Sequence, residues 1–342
     1  MKNNKFLTMA FESSCDETAI AILADGREVL SNVISSQIDI FKNYGGVVPE
    51  IAARHHLENI NEVVDEALKK ADVTMEDIDL IAVTEGPGLV GALLIGVATA
   101  KAVAFACDKP IIGVHHIMGH VAANYIEFPQ LEPPFTALIA SGGHTNIAEV
   151  KNYTEVEIIG GTRDDAIGEA YDKVARVLGL GYPGGPKIDK IAKEGNPDAI
   201  HFKRVFLEKD SMDFSFSGLK TAVLNHLNIA KQKGEEINRA DVAASFQQAV
   251  MDVVTEKAVQ AAKEMGHGKL VLAGGVASNS ALRAILKKKC DEEQIKLYVP
   301  SPILCTDNGA MIGCAGYYKY KEGQRSGLDM DAHANMPLSK AK

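Results

Sequence analysis

The chain states one design twice. FESSCDETAIAIL (11–23) and LIASGGHTNIAEV (138–150) each run from an apolar strand through a small polar turn into a second apolar strand. Ser14 or Ser141 opens the turn, and Thr18 or Thr145 closes it. Each copy begins a run of strands that passes into strand–helix–strand units. Hairpins need only a short turn, whereas a parallel return needs a crossover, commonly helical. Strands followed by such crossovers imply a sheet covered by helices. Two such runs in 342 residues, a length that suits about two domains, predict two similar α/β domains.

The order of elements fills in this plan. Residues 6–11, 19–24 and 28–36 are expected as a strand meander, followed by a long helix over 49–71 with Pro49 near its start. Strand 80–84, turn 85–88, helix 89–107, strand 110–114 and a histidine-bearing helix come next. The second run has strands at 135–140, 145–150 and 156–161. Helices are expected around 165–178, 186–194, 217–230 and 238–265. Strand 269–275, helix 278–290, strand 296–300 and a last helix over 306–320 complete the chain. Residues 1–128, joined by a helix at 305–325, are expected as one domain, 129–304 as the second, and 326–342 as a tail.

Composition excludes several classes. Apolar residues make up 46% and charged residues 24%, ordinary values for a soluble globular protein. Five cysteines without C-x-x-C spacing indicate neither a disulfide framework nor a cysteine zinc site, and they fit a reducing cytoplasm. The start, MKNNKFLTMAFESSCDE, is a first strand rather than a signal peptide, because acidic residues follow its short apolar stretch. LVGALLIGVATAKAVAFAC (89–107) contains Lys101 and is rich in Gly and Ala, so a buried core helix is expected and no membrane span. The net charge of −9 opposes a broad attraction to nucleic acid. A local basic patch stays open, with Lys187, Lys190, Lys193, Lys203 and Arg204 as scattered candidates.

Three features point to chemistry. In VHHIMGH, His116 and His120 stand four apart, so on a helix both rings project from one face, a spacing that can hold a metal. The residue after His116 is Ile117, so the glutamate of the H-E-x-x-H peptidase helix is missing. His115 is expected to point away from the pair, and His55 and His56 to lie on a solvated helix face. The two small-residue hairpins leave backbone N–H groups to face an anion. The first carries Asp16 and Glu17, where a carboxylate can orient an amine or a cation, or simply serve the turn. The second includes Ile139, Ala140, Ser141, Gly142 and Gly143, expected to bind substrate. AGGVASN (273–279) lets backbone approach a flat ligand and lets Asn279 cap a helix, completing a layout for phosphate and adenosine.

FESSCDET, YGGVVPEIAARHH, TEGPGLVGALLIG, VHHIMGH, SGGHT, EAYDKVARVLGLGYPGGP, DFSFSGLKTAV, AGGVASN and CTDNGAMIG lie in one order along nearly the whole chain. Together they closely resemble the bacterial tRNA N6-adenosine threonylcarbamoyltransferases, the TsaD family, once described as glycoprotein endopeptidases. The resemblance implies the actin/Hsp70/sugar-kinase superfamily fold, with two ribonuclease-H-like domains and a nucleotide cleft between them. It implies transfer of threonylcarbamoyl from threonylcarbamoyl-AMP to N6 of adenosine 37, in tRNAs that read codons starting with A. The third metal ligand it implies is the Asp of T-D-N-G, here Asp307, beside His116 and His120. Two His and one Asp suit one divalent ion, Fe(II) first and Zn(II) as the alternative. A tyrosine ligand of the archaeal branch falls at Ile139 here, so that ligand is missing. Asp172, Gly185 and Asp189 carry over as contacts to the adenine nucleotide. The partners implied are tRNA, an inactive paralogue subunit and a small ATPase subunit, without a membrane, in the cytoplasm. Two other readings stand beside this one. An ATP-dependent kinase or chaperone of the same fold would use Asp16 with Mg²⁺ and gives no reason for the His-His-Asp set. A metallopeptidase leaves the nucleotide hairpins unexplained.

Overall fold

Six consecutive buried residues make β1 (Leu7–Glu12) a central strand. Such unbroken apolar runs belong to sheets covered on both faces. β2 (Glu17–Ala24) and β3 (Glu28–Ser36) complete an antiparallel meander in which Met9 stands opposite Ile22 and Phe11 opposite Ile20. α1 (Ile38–Phe41) and α2 (Pro49–Ala71) follow, then β4 (Leu80–Gly86), α3 (Val90–Ala106), β5 (Ile111–His115) and α4 (His116–Glu127). β4 pairs parallel with β1 and β5 parallel with β4, giving the order β3-β2-β1-β4-β5. The structure is a computed structural model describing residues 5–208 and 210–340.

The second sheet repeats the plan. β6 (Phe135–Ala140), β7 (Thr145–Val150) and β8 (Val156–Gly161) precede α5 (Ile167–Val177), α6 (Gly184–Ala192), α7 (Ser217–Lys233) and α8 (Arg239–Met265). β9 (Lys269–Ala273), α9 (Ser280–Glu292) and β10 (Lys296–Tyr298) close it. Five of its six strands run β8-β7-β6-β9-β10, with β6 and β7 antiparallel and β6, β9 and β10 parallel, and the short β11 (Ser339–Lys340) lies beside β8. Counted from each hairpin, the first five strands of both sheets read third, second, first, fourth, fifth. The doubled hairpin is thus a doubled topology. α10 (Pro302–Cys305) and α11 (Gly309–Lys321) then return the chain to the first unit.

Residues 5–133, 151–156 and 300–339 form one compact unit, and 134–150 with 157–299 form the other. In the first, Met9, Phe11, Ile20, Ile22, Ile60, Val63, Ile81 and Val97 share one core. Burying each such side chain contributes about 1.5–3 kcal/mol. Residues 326–336 are bound in that unit: Ser326 N–H donates to Ile111 O, His333 N–H to Glu85 O and Lys101 Nζ to Met330 O.

One helix departs from expectation. α3 buries Ala92, Leu93, Gly96, Val97, Ala100 and Ala104 but exposes Val90, Leu94 and Phe105, so it is a half-buried helix with a second apolar face. Its apolar run has no polar stripe to mark the outer side, which is why the sequence reads as fully buried. No helix among the described residues is long and apolar enough to cross a membrane.

Candidate metal centre and nucleotide pocket

α4 is buried on nearly every side, with His116 through Tyr125 all inside. A helix apolar all round must be enclosed by other elements, and α11 supplies one wall. A Cβ on Gly119 would come 2.7 Å from Ile312 Cδ1 and 3.2 Å from Met311 Cγ, so the α11 side chains pack directly against the bare backbone at position 119. α11 starts at Asn308, whose side chain accepts from Met311 N–H at 3.0 Å. The residue just before that cap is Asp307. Helix packing and capping therefore bring Asp307 to the two histidines.

His120 Nε2 lies 3.2 Å and His116 Nε2 3.5 Å from Asp307 Oδ1. One ligand atom from each of these three residues lies within 4.8 Å of the others, so they form a set able to hold a metal ion. His120 is 1% exposed, yet neither ring nitrogen has a hydrogen-bond partner of proper geometry. Buried polar atoms left unmatched cost about 1–3 kcal/mol each, so a ring nitrogen facing a histidine and a carboxylate calls for an electrophile. The donor set fits a divalent ion of the zinc or iron type.

A second layer stands behind the first. Glu12, 1% exposed at the end of β1, accepts from His116 Nδ1 at 3.1 Å, from Thr84 Oγ1 at 2.6 Å and from Ser14 N–H at 2.6 Å. Ser14 Oγ is also 3.1 Å from His116 Nδ1. Because a carboxylate only accepts, the proton sits on Nδ1 and Nε2 is presented to the Asp307 side. Burial would lower the His116 pKa, but Glu12 and then Asp307 outweigh it and hold the ring at about 9. Glu12 is held below the ordinary carboxylate range, since His116 outweighs the effect of burial. Without an ion the protonated ring balances the carboxylates. An ion would take the place of its Nε2 proton. Sequence reasoning gave Glu12 and Thr84 no role at this site and Ser14 only its place at the opening of the turn. A charged residue closing an otherwise apolar strand was the available signal.

Asp16 ends the β1–β2 turn and Glu17 opens β2, paired with Ser36 of β3. Asp16 is buried, and Glu17 is half-buried and accepts from Ser36 Oγ at 2.8 Å. Burial, then the adjacent Asp16 carboxylate, pushes the Glu17 carboxyl up to about 9. The raised pKa favours the protonated form, which can donate a proton or a hydrogen bond. His56 is corrected: it is fully buried and bonded to this turn. The 3.6-residue period puts position 56 on the same α2 face as the buried Ala52, Ile60 and Val63. His115 lies apart from the metal set, as expected. It caps α4 by accepting from Ile117 N–H, and its Nε2 donates to Met336 O.

In the second unit a cavity of about 410 Å³ is lined by Gly142, Asp172, Gly185, Asp189, Gly275 and Asn279, together with Tyr171, Tyr182, Lys190, Lys193 and Val276, which sequence reasoning did not assign to it. Its size suits a small ligand. Asp172 accepts from Gly184 N–H at 2.7 Å, and Asp189 accepts from Ser280 N–H and Oγ. Asn279 caps α9 as expected, accepting from Leu282 N–H, and donates to Gln247 Oε1. Gly274 is required where it stands. Its φ is +91°, and a Cβ would meet Ala140 O at 2.4 Å. Of the second hairpin, Gly142 reaches the cavity wall. Ile139 and Ala140 are fully buried in β6, and Ser141 Oγ accepts from His144 N–H to hold the turn. Ser141 and Gly143 are not among the lining residues.

The family model for tRNA N6-adenosine threonylcarbamoyltransferase, TsaD, matches residues 28–314. The chain belongs to this family. Threonylcarbamoyltransferases of Clostridium perfringens strain SM101 and Clostridium botulinum strain Hall are 59% and 57% identical to it. Those matches span 98% and 96% of this chain and 99% and 97% of the relatives. This threonylcarbamoyltransferase is therefore an acyl-transferring enzyme of tRNA processing that forms N6-threonylcarbamoyladenosine, with tRNA as its substrate. Neither the kinase or chaperone reading nor the peptidase reading is favoured. Among solved structures, HypF in a phosphate- and nucleotide-bound form matches with a TM-score of 0.63 at 16% identity, covering 94% of this chain and 56% of HypF. Component A of the Acidaminococcus fermentans (R)-2-hydroxyglutaryl-CoA dehydratase matches at 0.54 and 16%, covering 93% and 98%. At that identity the likeness is one of fold, the actin/Hsp70-like ATPase fold shared by the threonylcarbamoyltransferase.

Proposed function

We propose that the enzyme takes threonylcarbamoyl-AMP as donor and adenosine 37, in tRNAs reading codons that start with A, as acceptor. His116, His120 and Asp307 would hold one divalent ion, with Fe(II) favoured over Zn(II). The observation that carries the metal reading is His120, buried with both ring nitrogens unmatched beside Asp307. When bound, the ion supplies Lewis-acid polarisation of the carbonyl or an anchor for the threonyl carboxylate or phosphate.

The donor is a mixed anhydride, so its carbonyl is already activated. N6 of the acceptor adenosine forms a bond to the carbonyl carbon, the carbon–oxygen bond to phosphate breaks, N6 loses a proton and AMP leaves. No covalent protein nucleophile is needed, and the residues serve to hold and orient the reactants. Asp172, Asp189, Gly185 and Asn279 would hold the adenosine half of the donor, with Gly142 shaping the approach of its phosphate. Lining of one cavity by four of these residues and Gly142 supports this assignment. Glu17, neutral, would donate to the developing oxyanion or the leaving phosphate, with Asp16 orienting the amine. The partners would include an inactive paralogue and a small ATPase. The exposed apolar Leu57, Val90 and Leu94 on α2 and α3 support a protein partner. Five free cysteines support a cytoplasmic setting.

The deciding assay combines the enzyme and its partner subunits with threonylcarbamoyl-AMP and tRNA transcript. Modified adenosine is scored by mass spectrometry of nucleosides, beside ATPase and casein-cleavage controls. Modified adenosine 37 without casein cleavage is expected. Brisk ATP turnover with no modified nucleoside would overturn the reading.

A further inference from the structure

Three successive carbonyls of the β1–β2 turn are held by three different elements. Ser14 O accepts from Leu89 N–H, at the start of α3, at 2.7 Å, and Asp16 O accepts from Gln37 N–H, at the start of α1, at 3.0 Å. Cys15 O, between them, accepts from His56 Nε2 of α2 at 2.9 Å. Only this middle bond comes from a side chain. The same ring reaches past the turn to the start of β2, with Nδ1 2.7 Å from Thr18 Oγ1. A carbonyl accepts and never donates, so Nε2 carries the ring proton. Burial disfavours a charged ring and lowers its pKa, leaving Nδ1 to accept from the Thr18 hydroxyl. One neutral imidazole in a fixed tautomer therefore brackets the two residues between Cys15 and Thr18, which are Asp16 and Glu17.

We infer that His56 is a positioning residue for transfer: its imidazole clamps the Cys15–Thr18 segment, where the turn enters β2, so that the Asp16 and Glu17 carboxyls meet the reacting groups in one geometry. The inference rests on the catalytic reading of those two carboxyls. The ring touches no substrate and contributes through the turn alone. Displacement of a reacting group by about 1 Å can cost on the order of 10²-fold in rate, so an imidazole's pair of hydrogen bonds is enough to matter. Thr18 is the partner that completes the clamp, since its hydroxyl is the donor to Nδ1.

The test compares His56→Leu, His56→Gln and Thr18→Val in the full enzyme with its partners. Leucine fills the site without a polar atom, whereas glutamine keeps an N–H donor for Cys15 O and an acceptor for Thr18. His56→Leu should lower kcat about 10- to 100-fold while KM for threonylcarbamoyl-AMP stays within about threefold. His56→Gln should recover most of that loss, and Thr18→Val should fall between the two. Nitrogen-15 spectra of histidine-labelled protein should show His56 as the neutral Nε2–H tautomer. A kcat for His56→Leu equal to the parent, equal losses in the leucine and glutamine variants, or an Nδ1–H tautomer would each overturn the inference. Asp16→Asn and Glu17→Gln, assayed in parallel, separate the two readings. Full kcat in both means that the carboxyl pair is not catalytic, while the tautomer spectrum still judges the clamp.

Discussion

Glu12 Oε2 and His116 Nδ1 are 3.1 Å apart in a buried setting, and this contact, with Ser14 Oγ at 3.1 Å from the same nitrogen, turns Nε2 of His116 toward Asp307. It is the carboxylate–histidine arrangement that orients metal-ligating imidazoles. Thr84 and Ser14 N–H, each 2.6 Å from Glu12, hold the carboxylate in turn.

Glu12→Gln can present its amide nitrogen to His116 and so favour the wrong tautomer. Metal affinity should fall about 10- to 100-fold with the circular dichroism spectrum unchanged. Titration calorimetry with Zn(II) reads this directly, and equal affinity in parent and variant would contradict the orienting role. His116→Ala and His120→Ala should lose the metal and abolish transfer. A metal-free His116→Ala protein with full activity would remove the metal from the mechanism.

Glu17 gives a pH dependence with a defined sign. Its carboxyl has an ordinary value of 4.5 in the unfolded chain and about 9 in the folded one. Between those values the folded state keeps a proton that the unfolded state releases, so stability falls as pH rises. The contribution is full below about 4.5 and is lost as pH passes through about 9. Glu17→Gln should flatten this slope, raising Tm at pH 8 by a few degrees and leaving it unchanged near pH 4. Parallel Tm–pH curves for parent and variant would show that Glu17 titrates normally.

Neighbouring glycines at the pocket should behave oppositely. A Cβ at Gly142 or Gly275 meets no atom within 4 Å, and both residues line the cavity. Gly142→Val and Gly275→Val should therefore fold with stability within about 0.5 kcal/mol of the parent. Their affinity for an adenylate should drop more than about tenfold. Gly274→Ala should destabilise the protein by about 1–3 kcal/mol, because of its left-handed φ and its contact with Ala140 O. Thermal melts with adenylate calorimetry separate these outcomes. Unchanged adenylate affinity in both valine variants would move the nucleotide elsewhere.

A net charge of −9 should keep the isolated chain's affinity for tRNA low and strongly salt-dependent, since binding then rests on a few Lys and Arg contacts. Partner subunits should tighten it. An unstacked loop base can still be drawn into a pocket, the usual route to single-stranded RNA recognition. Filter binding at two salt concentrations, with and without partners, tests this. Tight, salt-insensitive binding by the chain alone would refute it.

Much of the fold was written in the residues. Strands 28–36, 135–140, 145–150 and 156–161 and helix 49–71 have the bounds that periodicity predicts. Short elements escaped, among them α1 and α10, because four residues are too few to show a period. The four-residue spacing of His116 and His120 was equally plain, and so was the capping role of Asn279.

The sequence by itself determined the doubled hairpin, the α/β class, the family and the pair of histidines, because each is carried by local pattern or by motif order. Only the tertiary structure decided what those groups face. Asp307 is 187 positions beyond His120 and reaches it because α11, which begins just after it, packs on α4. Glu12 is 104 residues from His116, and His56 is 38 from Thr18. Hydrogen-bond partners, tautomers and the raised pKa of Glu17 depend on burial and on groups brought together by folding. Those are properties of packed space, which the order of residues alone does not display.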